Sequence, residues 1–284
     1  MRIMITGAHG MLGRTLTRHL HDHEHELLGV DIEHFDITDP KATAEAVSSF
    51  NPDTVIHCAA MTAVDDCQTN EDAAWEVNVN GTANIAEACS ASNARLIAFS
   101  TDYVFSGDSD LPYGEHDTTG PHTVYGMTKM LGEMAAVKYC PNCMILRIAW
   151  LYGPGGPSFV HTMLRLAEEG VAPLRVVNDQ VGNPTSTDAV AGHLKLLLDR
   201  SEITGPVHLT CEGHATWLDF AAEIFRLSGS DCVPLPCSTE EFPRPAPRPA
   251  NSQLDNLVLT QHGLPPMPHW RQALEDFFRE NPDG

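Results

Sequence analysis

The sequence predicts an α/β protein with a doubly wound parallel sheet and a smaller C-terminal region. Apolar segments of strand length alternate with helical patterns through the first half of the chain, which is typical of parallel strands joined by crossover helices. A glycine-rich segment lies between the first strand and the first helix, as in Rossmann-type domains. After Trp150 the pattern changes to short helices and proline-rich connections, which indicates a second, less regular region.

Each predicted element follows from its apolar pattern. Strands buried on both faces should be almost continuously apolar, and the segments around Ile56 and Ile97 meet this expectation. The predicted strands are Arg2 to Thr6, Glu26 to Asp31, Thr54 to Cys58, Arg95 to Ser100, Met144 to Trp150 and Val207 to Thr210. The predicted helices are about Met11 to His21, Pro40 to Phe50, Glu71 to Ala91 and Tyr125 to Tyr139.

This order of elements predicts two regions. Residues 1–150, with a returning segment at about 183–215, would form a dinucleotide-binding domain. Residues of about 151–182 and 216–284 would form a substrate-binding region, with ligands in the cleft between the two. The stretch Phe242 to Pro249 carries four prolines and is interpreted as an ordered loop or lid.

The composition excludes several classes of protein. The chain has 284 residues, 42% of them apolar, which is enough for a large core. The 38 acidic residues outnumber the 17 Lys and Arg residues, and the formal charge of −21 repels nucleic acid and anionic lipid. No run approaches the ~20 apolar residues of a membrane span, and the N-terminus enters a strand directly. We therefore expect no nucleic-acid or membrane partner and a cytoplasmic location.

The cysteines and histidines do not predict a metal site. The eight cysteines are scattered through expected strands and helices, so reduced thiols are expected. Cys140 and Cys143 form a Cys-x-x-Cys, but a second pair for zinc is missing. The histidine-rich run at 19–25 falls at a helix end and turn, where a solvated loop is the better interpretation.

The glycine-rich segment predicts a site for a dinucleotide cofactor. Gly7, Gly10 and Gly13 allow the backbone to approach a pyrophosphate, and Met11 and Leu12 belong to the same loop at the helix start. A tight turn with close helix packing is the alternative interpretation.

Further residues after the next two strands are expected to contact the same cofactor. Asp31 ends the second strand, where a carboxylate accepts hydrogen bonds from ribose hydroxyls and favours NADH over NADPH. No Lys or Arg follows Asp31 until Lys41, so a 2′-phosphate lacks an obvious partner unless Arg14 lies close in space. Asp36 and Ile37 have the right reach for the adenine ring, and the cofactor should also contact Ala60, Met61 and Thr62 after the third strand.

A tyrosine and a lysine have the spacing that carbonyl reduction requires. Tyr125 and Lys129 stand four residues apart in a predicted helix, so the phenol and the ammonium group share one face, where a cation makes the phenol a better acid. An exposed helix face is the alternative, and the position behind a phosphate-binding loop favours catalysis. Thr101 and Asp102 end a strand at the carboxyl edge of the sheet, where ligands bind in open α/β folds.

Five segments together resemble the extended short-chain dehydrogenase/reductase superfamily and, within it, the dTDP-4-dehydrorhamnose reductase family. The resemblance covers nearly the whole chain, and the last two segments are the more specific ones. The segments are the glycine loop, Ser-Thr-Asp-Tyr-Val-Phe at 100–105, Val-Tyr-Gly-Met-Thr-Lys at 124–129, Asn-Asp-Gln-Val-Gly-Asn-Pro-Thr at 178–185 and Arg-Pro-Ala-Asn-Ser at 248–252.

The resemblance implies a reaction and residue roles. Tyr125 would be the general acid, Lys129 would hold the nicotinamide ribose and lower the phenol pKa, and Thr101 would hydrogen-bond the substrate carbonyl. Asp102 and Trp150 match positions that contact the sugar nucleotide, although a core role would also suit Trp150. The implied reaction reduces dTDP-4-dehydro-L-rhamnose to dTDP-L-rhamnose with NADH or NADPH, and a homodimer is possible.

Four other functions share these motifs. A sugar-nucleotide 4,6-dehydratase or a 4-epimerase has the same fold, but the dehydratases carry Thr-Asp-Glu, and here Tyr103 replaces the glutamate. That replacement removes the expected base and favours simple reduction. A reductase of another dTDP-4-keto-deoxysugar would use the same chemistry. A non-catalytic NAD(P)-binding regulator, similar to the β subunit of methionine adenosyltransferase, would keep the same motifs without turnover.

Overall fold

The computed structural model describes residues 1–21 and 25–281, and its secondary structure alternates as expected. The strands are β1 (Arg2–Thr6), β2 (Glu26–Val30), β3 (Thr54–His57), β4 (Arg95–Thr101), β5 (Met144–Ile148), β6 (Leu151–Tyr152), β7 (Arg175–Val177), β8 (Val181–Gly182), β9 (Thr185–Ser186), β10 (Gly205–His208), β11 (Ala215–Thr216) and β12 (Leu235–Cys237).

Helices cover the sheet and form most of the C-terminal region. They are α1 (Met11–Leu20), α2 (Pro40–Phe50), α3 (Val64–Thr69), α4 (Glu71–Trp75), α5 (Thr82–Ala91), α6 (Val124–Tyr139), α7 (Phe159–Glu168), α8 (Thr187–Leu198), α9 (Trp217–Ser228), α10 (Leu257–Gln261) and α11 (Trp270–Glu280). A π-helical segment, Glu76–Gly81, joins α4 to α5.

The central sheet has six parallel strands in the order β10-β5-β4-β3-β1-β2, which confirms the predicted doubly wound fold. The chain passes from β1 to β2 on one side and then returns to place β3 on the other side of β1. In such a sheet the crevice at this reversal, beyond the carboxyl ends of the strands, is where ligands bind.

The predicted boundaries agree closely with the observed ones in the first half, with three corrections. β10 begins and ends two residues before the predicted strand Val207 to Thr210. The strand predicted to reach Trp150 ends at Ile148, because Trp150 has a φ of +45°, which cannot continue an extended strand. The helix predicted over Glu71 to Ala91 contains the π-helical segment, and such segments often occur at functional sites.

The hydrophobic core is continuous across the two predicted regions. One buried cluster contains Ile3 and Ile5 of β1 together with Phe220 of α9 and Trp270 and Phe277 of α11. The C-terminal region therefore packs directly on the sheet, and the domain boundaries stay a prediction. Its main helices have 10 to 12 residues, longer than the short helices expected from the sequence.

Two sequence interpretations concern ions and membranes. The histidine-rich run at 19–25 lies partly outside the described residues. Within residues 1–21 and 25–281, no group of three or more His, Cys, Asp or Glu side chains is arranged to hold a metal ion. In the same part of the chain, no helix is long and apolar enough to cross a membrane.

Candidate active site

A cleft of about 730 Å³ lies at the carboxyl edge of the sheet. Every residue that the sequence singled out as a cofactor, substrate or catalytic residue lines this cleft, and their individual roles stay predictions. They are Gly7, Gly10, Met11, Leu12, Gly13, Asp31, Asp36, Ile37, Ala60, Met61, Thr62, Thr101, Asp102, Tyr125, Lys129 and Trp150.

The glycine loop is tightly packed against neighbouring backbone. Gly7 has a φ of +67°, and a Cβ at this position would lie 2.7 Å from Ala59 N. A Cβ at Gly13 would lie only 2.1 Å from Gly7 O. Tight packing therefore explains Gly7 and Gly13. Gly10 directly precedes α1, so the start of this helix faces the cleft without a side chain at its cap, which fits a pyrophosphate group.

Asp31 and its neighbours form an acidic end of the cleft. Asp31 Oδ2 accepts from His9 N at 2.9 Å and Oδ1 accepts from Ile32 N at 2.9 Å, which fixes the carboxylate beside the glycine loop. The His9 ring pairs with Glu33 at 2.5 Å. Arg14 Nε donates to His9 O at 2.7 Å, so this basic side chain does lie at the loop.

The adenine contacts predicted at Asp36 and Ile37 belong to a structured turn. Asp36 Oδ1 accepts from Thr38 N at 2.9 Å and from Thr38 Oγ1 at 2.8 Å, so this oxygen already stabilises the turn. Ile37 is buried against Gly81, where an added Cβ would lie 2.7 Å from its Cδ1. Ile37 is therefore a closely packed apolar side chain in the wall of the cleft, and its adenine contact stays a prediction.

Asn78 of the π-helical segment holds the loop that follows β3. Its Oδ1 accepts from Met61 N at 2.8 Å, and its Nδ2 donates to Met61 O at 3.0 Å. The same Nδ2 donates to Thr128 Oγ1 of α6 at 3.1 Å. Asn78 thus ties the loop after β3 to the helix that carries Tyr125 and Lys129.

Tyr125, Thr101 and Lys129 lie together in the wall of the cleft. The Thr101 hydroxyl lies within hydrogen-bonding reach of the Tyr125 phenol. Lys129 Nζ donates to Phe99 O at 2.8 Å from the next turn of α6. All three side chains are buried, which makes their electrostatic interactions stronger than they would be in water.

Burial sets the acidity of the phenol and the ammonium group. Burial raises the pKa of Tyr125, and the bond with Thr101 opposes this shift. The direction is opposite to the lowering expected from Lys129, because loss of solvent has the largest effect and the nearby Asp102 raises the pKa further. Burial lowers the pKa of Lys129 to about 8, while the carboxylate of Glu133 opposes that shift.

A buried ion pair lies behind the lysine. Arg147 Nη2 donates to Glu133 Oε2 at 2.7 Å, and Arg147 Nε donates to Glu133 Oε1 at 2.9 Å. Ser100 Oγ donates to the same Glu133 Oε1 at 2.5 Å. Glu133 follows Lys129 by one helical turn, so its charge is fixed close to the ammonium group. No sequence signal singled out this pair.

Asp102 is a buried carboxylic acid in the same wall. Thr101 Oγ1 donates to Asp102 Oδ1 at 2.8 Å, and the Ser252 hydroxyl also stabilises the carboxylate. Burial raises the pKa of Asp102 to about 6 in spite of these bonds. Among the described residues, Oδ2 is buried from solvent without a hydrogen-bond partner, which agrees with burial as the main cause of the raised pKa.

Trp150 is held in a strained backbone conformation beside Asp102. A bulky residue in the left-handed region costs about 1–3 kcal/mol, which surrounding contacts must offset. Trp150 Nε1 donates to Ser252 Oγ at 3.0 Å, and its ring stacks on Trp217 with centroids 3.4 Å apart and planes at 3°. Strain of this kind is common where a side chain has to point into a functional site.

The sequence did not single out every lining residue as a site residue. Tyr103, considered only as the replacement of the dehydratase glutamate, packs edge-to-face on Tyr125 with centroids 5.5 Å apart. Trp217 had no signal in the sequence and reaches the cleft from the start of α9. Ala59 and Ser100 also line the cleft near the carboxyl ends of strands, so the rule that predicted the other residues could have predicted these two as well.

The parallel sheet, the glycine loop and the Tyr-Lys pair define an extended short-chain dehydrogenase/reductase. A family model described as the RmlD substrate binding domain matches residues 1–282. A dTDP-4-dehydrorhamnose reductase of Streptomyces griseus is 43% identical over 98% of this chain and 93% of its own length. A probable dTDP-4,6-dihydroxy-2-methyloxan-3-one 4-ketoreductase of Streptomyces antibioticus is 42% identical over 98% of this chain and 95% of its own length.

Solved structures agree with these relatives. A dTDP-4-dehydrorhamnose reductase of Bacillus anthracis, solved in complex with NADP, superposes with a TM-score of 0.96. It is 36% identical, with 98% of this chain and 99% of that chain covered. The chain therefore belongs to the dTDP-4-dehydrorhamnose reductase family.

Proposed function

We propose that the protein reduces the 4-keto group of dTDP-4-dehydro-L-rhamnose to give dTDP-L-rhamnose, with NADH or NADPH as the reductant. The observation that carries the proposal is the meeting of Tyr125, Thr101 and Lys129 in one wall of a cleft whose other end is the glycine loop. The family relationship supplies the sugar, because no contact in the cleft by itself identifies a deoxyhexose.

The cleft has residues to hold each part of the dinucleotide. The start of α1 at Gly10 would bind the pyrophosphate, Asp31 the adenosine ribose, and Lys129 the nicotinamide ribose. When bound there, the reduced nicotinamide supplies the hydride for the carbonyl carbon. The small side chains at Ala60 and Thr62 leave room for the nicotinamide end between β3 and β4.

The protein's own residues handle the proton and the developing charge. The Tyr125 hydroxyl would donate to the substrate carbonyl oxygen, together with the Thr101 hydroxyl once it turns away from Asp102 Oδ1, and Tyr125 would then give its proton to that oxygen. Because burial keeps the phenol protonated, Tyr125 is ready as an acid in the direction of reduction. The charged Lys129 would stabilise the tyrosinate that remains and so favour the transfer.

The acidic end of the cleft supports NADH as the better reductant. Asp31 and Glu33 are negatively charged and would repel the 2′-phosphate of NADPH, which is also negative. Arg14, whose side chain lies at the glycine loop, would partly offset this repulsion. A relative in this family was solved with NADP, so the proposal includes both cofactors. A cytoplasmic location and a homodimer, both expected from the sequence and its family resemblance, stay predictions.

A reductase of another dTDP-4-keto-deoxysugar is the second candidate function. The observation that favours it is the 42% identity with the ketoreductase of Streptomyces antibioticus, nearly equal to that with the rhamnose enzyme. The reacting groups would be the same. A non-catalytic NAD(P)-binding regulator is the remaining alternative, because intact motifs alone do not require turnover.

Loss of NADH or NADPH absorbance in the presence of dTDP-4-dehydro-L-rhamnose tests the proposal. Tyr125→Phe should lower kcat by about a thousandfold or more, because it deletes the proton donor and keeps the aromatic ring. Tyr139→Phe, at the far end of the same helix, is the matched control and should keep wild-type turnover. Cofactor binding without oxidation by the wild-type protein would contradict the proposal and support another keto sugar or the regulator.

A further inference from the structure

The indoles of Trp150 and Trp217 form one rigid unit in the wall of the cleft. Their rings are nearly parallel, with centroids 3.4 Å apart, and both residues line the cleft. Of these two tryptophans, the family resemblance pointed to Trp150 alone as a ligand contact. We propose that Trp217 is a positioning residue, which fixes Trp150 and, through it, the sugar-binding wall of the active site.

The backbone conformation of Trp150 is energetically unfavourable, so contacts with other residues must hold its side chain in place. Its φ of +45° is unusual for a bulky side chain, and it sits in the turn between β5 and β6. Trp217 covers one face of its ring, and Ser252 Oγ accepts from its Nε1 at 3.0 Å. Gly182 borders the same edge, since a Cβ there would lie 2.4 Å from Trp150 Cε2.

Trp217 is itself held firmly from the other side. Its Nε1 donates to Gln180 Oε1 at 3.0 Å, and Gln180 Nε2 donates to Thr239 Oγ1 at 2.9 Å. Phe159 packs against its ring with centroids 4.6 Å apart. These contacts fix Trp217 to the C-terminal region, so it can act as a support for a strained neighbour.

The unit is connected to the polar groups that would meet the sugar. Ser252, which accepts from Trp150 and donates to Val181 O at 3.4 Å, also lies close enough to Asp102 to lower the pKa of its carboxyl group. Asp102 in turn accepts from Thr101, the residue beside the Tyr125 phenol. A shift of Trp150 would therefore move Ser252 and Asp102 away from the substrate, while the glycine loop at the other end of the cleft would be unaffected.

The kinetic test of this inference rests on the proposed function, because it measures turnover of the keto sugar by the whole protein. Trp217→Leu removes the stacking partner, Trp217→Phe keeps an aromatic ring, and Trp75→Phe removes an exposed indole outside the cleft as the matched control. We expect Trp217→Leu to raise KM for dTDP-4-dehydro-L-rhamnose and lower kcat, each by about three- to tenfold, from the loss of aromatic stacking. Trp217→Phe should recover part of this loss, and the Kd for NADPH should change by less than about twofold.

A double-mutant cycle separates positioning from general destabilisation. If Trp217 acts through Trp150, Trp217→Leu should change KM and kcat by less than about twofold in a Trp150→Leu background, against about three- to tenfold in the wild-type background. An equally large effect in both backgrounds would overturn the inference, as would a Trp217→Leu protein whose KM and kcat equal those of the Trp75→Phe control. Urea denaturation of each variant establishes that the proteins compared are folded.

Failure of the proposed function has a different signature. In that case the wild-type protein does not turn over the keto sugar, and dTDP binding replaces KM as the readout. Trp217→Leu should then bind dTDP at least threefold more weakly than Trp75→Phe does, and equal affinities would overturn the inference. If Trp217→Leu does not fold, Trp217→Phe supplies the same comparison with a smaller expected change.

Discussion

Replacing Gly13 by alanine should damage both the folding and the cofactor affinity of this protein. The added Cβ would lie 2.1 Å from Gly7 O and 2.7 Å from Ala8 Cα. Carbon and oxygen atoms normally approach no closer than about 3.3 Å, so α1 and the loop must separate by roughly 1 Å. Overpacking of this kind costs about 1–3 kcal/mol, and a shift of roughly 1 Å at the pyrophosphate site should weaken cofactor binding by about ten- to a hundredfold.

Urea denaturation without cofactor and a fluorescence titration with NADH measure the two effects of Gly13→Ala. Gly192→Ala is the matched control, because Gly192 lies inside α8 and its added Cβ would meet no atom within 4 Å. The control should be more stable than wild type by about 0.5–1 kcal/mol, with unchanged NADH affinity. A Gly13→Ala protein with wild-type stability and affinity would refute the steric explanation of the loop.

Three further predictions concern charges in the cleft. Glu133→Gln removes the charge that raises the pKa of Lys129, so the alkaline limb of kcat/KM, expected near pH 8 in the wild type, should move to lower pH. An unchanged limb would contradict this role. As the pH falls through about 6, Asp102 gains a proton, and KM for the sugar nucleotide should rise; Asp102→Asn should show the high KM at every pH. Asp31→Ser removes a charge that repels the 2′-phosphate, so the NADPH-to-NADH ratio of kcat/KM should increase about tenfold or more.

The cleft could be predicted from the sequence because its residues follow the ends of parallel strands. Gly7, Asp31 and Trp150 each follow a different strand, Thr101 is the last residue of a fourth, and parallel strands bring their carboxyl ends to the same edge. Apolar runs and helix periodicity located these strands. One rule of topology therefore placed the candidate residues side by side without any knowledge of the side-chain geometry.

Contacts between distant segments could not be predicted in the same way. The stacking of Trp217 on Trp150 depends on how α9 packs, and an aromatic residue at a helix start has many possible neighbours. The Glu133 and Arg147 pair also needed the packed structure, because either residue alone suits an exposed helix or strand end. The apolar pattern of the sequence continues to Trp150, whereas the strand ends at Ile148 because Trp150 has a left-handed φ that the sequence does not reveal.

Acidity was likewise decided by packing. From spacing alone, the nearby Lys129 should lower the pKa of Tyr125, whereas burial of the phenol raises it. How deeply the Tyr125 phenol is buried depends on the packing of the whole fold, which the spacing of residues in a helix does not reveal. The same reasoning applies to Asp102, whose raised pKa follows from a buried position that a strand-end carboxylate does not normally have.

The most direct test of hydride transfer to the sugar uses NADH and NADPH that carry deuterium at C4 of the nicotinamide. The protein is incubated with dTDP-4-dehydro-L-rhamnose, and the sugar product is analysed by NMR and mass spectrometry. We predict one deuterium at C4 of dTDP-L-rhamnose from one of the two C4 epimers of the cofactor, and no product with Tyr125→Phe. An unlabelled product, deuterium at another carbon, or no reduction would contradict the proposed reaction.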